Sequence, residues 1–435
     1  MQIKNTFKTG TVLAAVLLAG QAHSANWLML QGTEPAGSAE IAKVWGFVQP
    51  EYQSTSGTDL KAGPFSGQSA VFNQIGPDLK TDSQFNIRRA RLGVRGAGFP
   101  LDSNVNYFFL VEAGNNAITR NGGGSVKVTD ASVTFNHING ARFRIGQFKY
   151  PGSEEGLQAI HVFDYINFTN VTNGLLLERF YDGDGSDTQS ANSPNGAVGA
   201  FRDVGVQVFD TFKHNDWEHS YALMAGNGNG IARGDNDDNK DVYLYWSSAK
   251  IFSGQGPRRD DWKLFAWSQQ GKRTLVNLDQ EFDRDRWGVG TTFRKDRYRA
   301  AFEYIKADGM VADGTDGGAV PGSRNNADTA TASWNIATDG EADGWYAHFG
   351  YAITPKWELD IRYDVLNRVT NVAAAERQFE TWTLGAQYFL NRKTRLIFNY
   401  EIRDAEAPNL AGTAVPNQIL DGIDNRLAVQ VLAIF

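Results

Sequence analysis

The sequence predicts an all-β protein, a 16-stranded antiparallel transmembrane β-barrel with long extracellular loops and short periplasmic turns. Three observations predict it. Past the N-terminus, apolar and polar residues alternate with period two in segments of about ten residues. The connections between these segments alternate strictly between long and short. The strand count is even, and about 26 residues per strand with its loop suits a channel-forming barrel.

Composition removes the competing classes. The 435 residues are 41% hydrophobic and 21% charged, with a mean hydropathy of −0.40. That is too polar for a bundle of membrane helices, and the one apolar run near spanning length lies at the extreme N-terminus. Aromatic residues make up 12% of the chain, more than a disordered chain carries. There is no Cys, so no disulfide, thiolate ligand or thiol nucleophile exists. The net charge of −7 argues against nucleic acid as a partner.

Lys4 and Lys8 precede the apolar run 11–20, and the small residues Ala22, Ser24 and Ala25 follow. This is the order of a cleaved export signal, with a core too short to span a bilayer as a helix. Cleavage is expected after Ser24, with Ala25 as the alternative and a buried N-terminal helix as the competing reading. The expected organisation is a signal at 1–24, a periplasmic lead at 25–40 and the barrel at 41–435.

The predicted strands are 41–53, 84–96, 101–113, 125–138, 141–150, 201–212, 217–225, 241–253, 261–270, 284–295, 297–306, 343–354, 356–366, 378–390, 393–403 and 424–435. The run 329–337 is a candidate extra strand. Asn139-Gly140 is a two-residue hairpin signal. The clearest strand is 357–365. There Trp357, Leu359, Ile361, Tyr363 and Val365 share one face, and Glu358, Asp360, Arg362 and Asp364 share the other. A soluble sandwich also alternates, but it has no reason to sort long and short connections to opposite ends. Aromatics near strand ends, such as Trp345, Trp357, Trp382 and Tyr388, fit an interfacial girdle.

If the apolar faces meet lipid, the opposite faces line the lumen. Parity then sends Arg89, Arg91 and Arg95 inward, and likewise Arg142 and Arg144. Gln147 and Lys149 fall on the outward parity, where an ammonium is costly, so a bend is expected near Gly146. Charge is unevenly spread. Residues 84–150 hold nine bases and three acids, a surplus of six, so the rest of the chain sums to −13. A basic wall selects anions, phosphate in particular. The alternative is that inward Arg pairs with inward acids such as Glu112 and Asp130 and only keeps the lumen polar.

Several stretches resemble the phosphate-selective porin family (O/P type) of Gram-negative outer membranes: Phe85–Gly96, Ile145–Leu157, Gly234–Asp241 and the terminal Phe435. The resemblance implies a homotrimer of barrels in outer-membrane lipid and lipopolysaccharide, each with the loop 151–200 folded into its lumen. It also implies an anion site on Arg88, Arg89, Arg91 and Lys149, with Ser153 as a hydroxyl donor. Parity adds Arg142 and Arg144 to the basic set. Glu154 and Glu155, so near Lys149, depart from a purely basic site. The expected function is a diffusion channel for small anions, phosphate or polyphosphate, with no reaction catalysed and no cofactor. A general or differently selective porin is the alternative, ahead of a barrel-embedded enzyme or a non-conducting surface barrel.

Other motifs carry less. Gly226–Gly234 is Gly-rich but has no helix after it to cradle a phosphate. Asp182–Asp187 and Asp235–Asn239 begin like Ca²⁺ loops but lack the required Gly and Glu, which leaves only loose Ca²⁺ bridging. No His spacing suits a metal, so no metal site is expected. His137 lies near Ser132 and Thr134, but on the opposite face, which defeats a catalytic set.

Overall fold

The computed structural model describes residues 26–30, 41–63, 66–67, 70, 72, 82–98, 102–119, 126–177, 179–180, 195–231, 234–235, 237–254, 259–275, 280–314 and 335–435. The expected signal and Asp182–Asp187 lie outside these residues. Sixteen strands form one closed antiparallel barrel. They are β1 (Lys43–Thr55), β2 (Ser83–Ala97), β3 (Val105–Glu112), β4 (Lys127–Ile138), β5 (Ala141–Lys149), β6 (Arg202–His214), β7 (Trp217–Gly226) and β8 (Asp241–Ser253). The second half comprises β9 (Asp260–Gln270), β10 (Asp285–Lys295), β11 (Tyr298–Asp308), β12 (Glu341–Thr354), β13 (Trp357–Arg368), β14 (Arg377–Phe389), β15 (Thr394–Glu406) and β16 (Arg426–Ile434). Each follows one predicted segment, in order.

Every strand pairs with its sequence neighbours, and β1 pairs with β16 from Phe47↔Ile434 to Thr55↔Arg426. Closure leaves no unpaired edge, which is what allows a sheet to sit in lipid. The short connections are two residues long at 215–216, 296–297 and 355–356. Asn215 and Asp296 take positive φ there, which short polar side chains tolerate best among non-Gly residues.

Alternation is visible along β13. Trp357, Leu359 and Ile361 are exposed, while Glu358, Asp360 and Arg362 are buried in the interior. Val365 departs from the expectation and is buried. Cross-strand aromatic pairs brace the outer face, with Trp357 4.8 Å from Tyr388 and Tyr363 4.5 Å from Trp382. Such pairs are a unit of sheet stabilisation. Of the candidate extra strand, Asn335–Ala337 pairs with Val311–Asp313 in a two-stranded sheet separate from the barrel. The remainder, 329–334, lies outside the described residues.

Two irregularities matter for the interior. Pro50 on β1 has no N–H to give the ladder, and the register slips between Gln49↔Arg89 and Pro50↔Ile87. Arg88 is the extra residue of this bulge, so Arg88 and Arg89 are both buried. At Gly146 φ is +127°, and a Cβ there would meet the Ala131 carbonyl oxygen at 2.1 Å. Only Gly fits. Past it, Gln147 donates to the Val128 carbonyl at 2.7 Å and Lys149 points to the interior.

The connection from β5 to β6 carries two short helices, α1 (Glu154–Leu157) and α2 (Asn170–Leu175). It reaches the far wall. Asp164 pairs with Arg299 at 3.4 Å, the Ile166 amide donates to Asn399 Oδ1 at 2.8 Å, and the Asn170 amide donates to Asp364 Oδ1 at 2.7 Å. Of the segment expected as a periplasmic lead, residues Trp27–Leu30 form one 3-10 turn. Trp27, Leu28 and Met29 are buried. The Trp27 indole donates to Glu154 Oε1 at 2.8 Å, and Asn26 Nδ2 donates to Ser220 Oγ at 2.6 Å.

Candidate functional site: a basic wall in the lumen

Two spaces lie against the wall built by β1 to β6. The first, about 600 Å³ including its solvent-open part, is lined by Asn86, Arg88, Arg89, Arg91, Asn116, Lys149 and Arg202 among others. It lies toward the long-loop ends of the strands. The second, about 970 Å³ likewise including its solvent-open part, reaches Trp45, Arg95 and Phe108 toward the short-turn ends. Both include Arg91, Lys149, Ile160 and Arg202. A solute passing from one space to the other therefore meets these cations.

Each cation has a defined anchor. Arg88 Nη1 donates to Asn167 Oδ1 at 2.5 Å and lies 3.6 Å from Glu51. Arg89 Nη1 donates to the neutral amide of Gln49 at 3.1 Å. Arg91 Nε donates to Glu112 at 2.7 Å, and Glu112 also accepts the amides of Ala90 and Gly114. Arg202 Nη2 pairs with Asp130 at 3.0 Å. Lys149 Nζ donates to the carbonyls of Gly156 at 2.7 Å and Gln158 at 2.8 Å. Those carbonyls belong to the loop, so Lys149 holds the loop against this wall. With Arg95, six bases stand here against Glu51, Glu112 and Asp130. The pairing alternative is thus half realised, since the acids are present but outnumbered.

Glu154 and Glu155 are turned away from Lys149. Glu154 pairs with Lys263 at 2.5 Å, and Glu155 with Arg362 at 3.2 Å. Long-range pairs thus remove the acidic neighbours that the sequence places beside Lys149.

Of the expected site residues, the structure brings Arg88, Arg89, Arg91 and Lys149 together. It does not bring Arg142, Arg144 and Ser153 to them. Arg142 pairs with Asp210 at 3.3 Å. Arg144 lies between the rings of Phe148 and Phe209, at 5.0 and 4.7 Å. Ser153 donates to Glu303 Oε2 at 3.0 Å on the far wall, where Glu303 also accepts Trp267 and Tyr346. Ser153 is part of the loop's anchorage. Arg202 is the member that sequence reading missed. The structure places it there through the register, since Lys149 and Arg202 are direct cross-strand partners.

The other motifs stay separate. His137, exposed at the end of β4, meets Asp102 through Nε2 at 2.6 Å, while Thr134 is buried and accepts from Arg144. Asp235 pairs with Lys240. Among the described residues no group of three metal-ligating side chains converges.

A closed sixteen-stranded barrel with an apolar outer face and a loop packed across a charged lumen defines an outer-membrane channel of porin architecture. The chain belongs to the family described as phosphate-selective porin O and P, whose sequence model matches residues 67–174 and 277–414. No curated protein sequence matches it. Solved structures share its fold. The Salmonella typhi OmpF complex with daunomycin is 13% identical with a TM-score of 0.56, covering 91% of this chain and 97% of that one. The anion-selective porin from Comamonas acidovorans is 12% identical with a TM-score of 0.53, covering 91% and 99%. The outer membrane channel DcaP of Acinetobacter baumannii is 16% identical with a TM-score of 0.52, covering 91% and 97%.

Proposed function

We propose that the channel passes small anions in preference to cations, phosphate or polyphosphate among them. The observation that carries this is the row Arg88, Arg89, Arg91, Lys149 and Arg202, which lines the first space and in part the second. A low-dielectric wall of one sign raises the local concentration of counter-ions. Guanidinium N–H groups then replace part of an anion's hydration through charge-assisted bonds. Passage requires that each contact be strong enough to admit the ion and weak enough to release it. Neighbouring carboxylates temper Arg88, Arg91 and Arg202, which suits transient rather than tight binding. Membership of a phosphate-selective family supports phosphate as a permeant. The Comamonas acidovorans porin, an anion-selective barrel of the same fold, supports anion selection on this architecture. The resemblance also supports a homotrimer within outer-membrane lipid and lipopolysaccharide, reached through a cleaved signal.

The test is a bilayer recording of the purified full-length protein under a KCl gradient, followed by phosphate titration. An anion-selective reversal potential and a chloride current reduced by millimolar phosphate are expected. A cation-selective potential without phosphate block would reject this reading and leave a general porin.

A further inference from the structure

The second space differs from the first in the chemistry of its walls. One side carries cations together with Asp130, the carboxylate paired with Arg202, and most of the rest is apolar and aromatic, with Trp45, Phe47, Phe108, Ile160 and Val162 facing it. A hydrated inorganic ion gains nothing from such walls. Water gains little either, because these side chains offer it few partners. The aromatic residues form a shelf. Trp45 is stacked with Phe108, ring centres 6.2 Å apart at 14°, and His161 meets Trp45 edge-on at 5.6 Å. The Arg95 guanidinium lies 5.6 Å from the Trp45 ring, at the end of the shelf.

The Trp45 indole N–H is buried and has no hydrogen-bond partner among the described residues. It lies beside Gly93, where a Cβ would stand 3.3 Å from Nε1. Buried indole N–H groups are ordinarily paired. Gly93 is the ladder partner of Trp45, so this N–H lies against the barrel wall and the ring offers the space its apolar surface.

We infer that this space binds organic anions with a ring-sized apolar body and a carboxylate or phosphonate head. The body lies on the Trp45–Phe108 shelf and against Ile160 and Val162. The head faces Arg91, Arg95 and Arg202. A mostly apolar cavity with a few convergent polar groups is the usual form of a small-molecule site. The inference rests on the anion reading above and adds a substrate class to it.

Three probes with related heads separate the two: orthophosphate, methylphosphonate and phenylphosphonate. Each is titrated against the chloride current of the reconstituted full-length protein. Burying one ring in place of a methyl group predicts half-block by phenylphosphonate at about tenfold lower concentration than by methylphosphonate. Trp45→Leu should shrink that ratio to about threefold or less. If Trp45→Leu fails to fold, Val162→Ser on the loop gives the same readout from the opposite side of the space. Equal block by the two phosphonates in the wild type would overturn the organic-anion site and leave the anion channel standing. No block by any probe, with a cation-selective reversal potential, would overturn both.

Discussion

Lys149 and Arg202 stand directly opposite each other across the ladder between β5 and β6. Like charges so placed repel. The fold offsets this in two ways: Asp130 pairs with Arg202 at 3.0 Å, and the loop carbonyls of Gly156 and Gln158 take the Lys149 ammonium. The repulsion is therefore balanced in part by β4, through Asp130, and in part by the loop. Loop position and wall charge are linked through the Lys149 ammonium, and also through Arg88, which donates to Asn167 of the loop.

The first prediction follows from that link. Lys149→Gln removes the clasp and one charge together, so the loop loosens as selectivity falls. Single-channel traces of Lys149→Gln should show a higher and noisier open current and a reversal potential shifted toward zero. A trace that matches the wild type would mean that the clasp does not set the loop's position.

A second prediction separates the two sets of arginines. Arg89→Gln removes a cation that faces the first space and is held by a neutral amide, so anion preference should drop severalfold. Arg142→Gln removes one that pairs with Asp210 away from either space, so anion preference should change little. Reversal potentials of the two variants decide the point. The difference should shrink with salt, as the Debye length falls from ~10 Å at 0.1 M to ~3 Å at 1 M.

The third concerns the lipid face. Ile361 is exposed on the outer side of β13, so Ile361→Arg should cost ~2–4 kcal/mol near mid-bilayer. Urea-dependent folding into vesicles measures it. Its neighbour Arg362 holds Glu155 of the loop. Arg362→Gln should therefore spare the barrel and appear instead as a change in channel current.

A fourth rests on pH. His161 lies in the loop, packed against Trp45 and Phe47. Burial first, then the charges of Arg395 and Arg95, push it down to about 3. An unfolded or released His161 titrates near 6.5. Below that value protonation favours release, so its contribution is complete above pH 6.5 and lost as pH falls toward 3, by ~1.4 kcal/mol per unit within that window. Channel recordings from pH 7.5 to 4.5 should show increasing loop fluctuation. His161→Phe should remove that dependence.

The last prediction concerns the Trp27 turn. Its indole donates to Glu154 inside the lumen, and Trp27 and Leu30 border the second space. Trp27→Ala should raise unitary conductance without altering the strand content seen by circular dichroism. An unchanged conductance would show that the turn lies outside the conducting path.

The barrel was legible because alternation is a local property, and sixteen segments show it without help from distant residues. Arg89, Arg91 and Arg95 followed from parity alone. Arg88 did not, because the bulge depends on Pro50, which lies in a different strand. Arg202 was hidden for a related reason: the long connection after β5 fixes no register, so its place opposite Lys149 cannot be counted out. The partners of Ser153, Glu154 and Trp27 are long-range, with Trp27 bonded to a residue 127 positions away. No spacing rule reports such contacts. Lys149 is an intermediate case, since the cost of an outward ammonium predicted the bend at Gly146 but not the carbonyls that receive it.

The bulge at Pro50 also sets how closely charge can be packed along a strand. A regular strand turns every second side chain inward, so inward charges recur no more often than about every 6.7 Å. At the bulge, Arg88 and Arg89 are consecutive and both buried, which halves that repeat to about 3.4 Å along the chain. With Arg91 following at the ordinary interval, three guanidinium groups occupy four residues of one strand. Alternation alone cannot reach that linear charge density, and a single missing backbone N–H on the neighbouring strand supplies it.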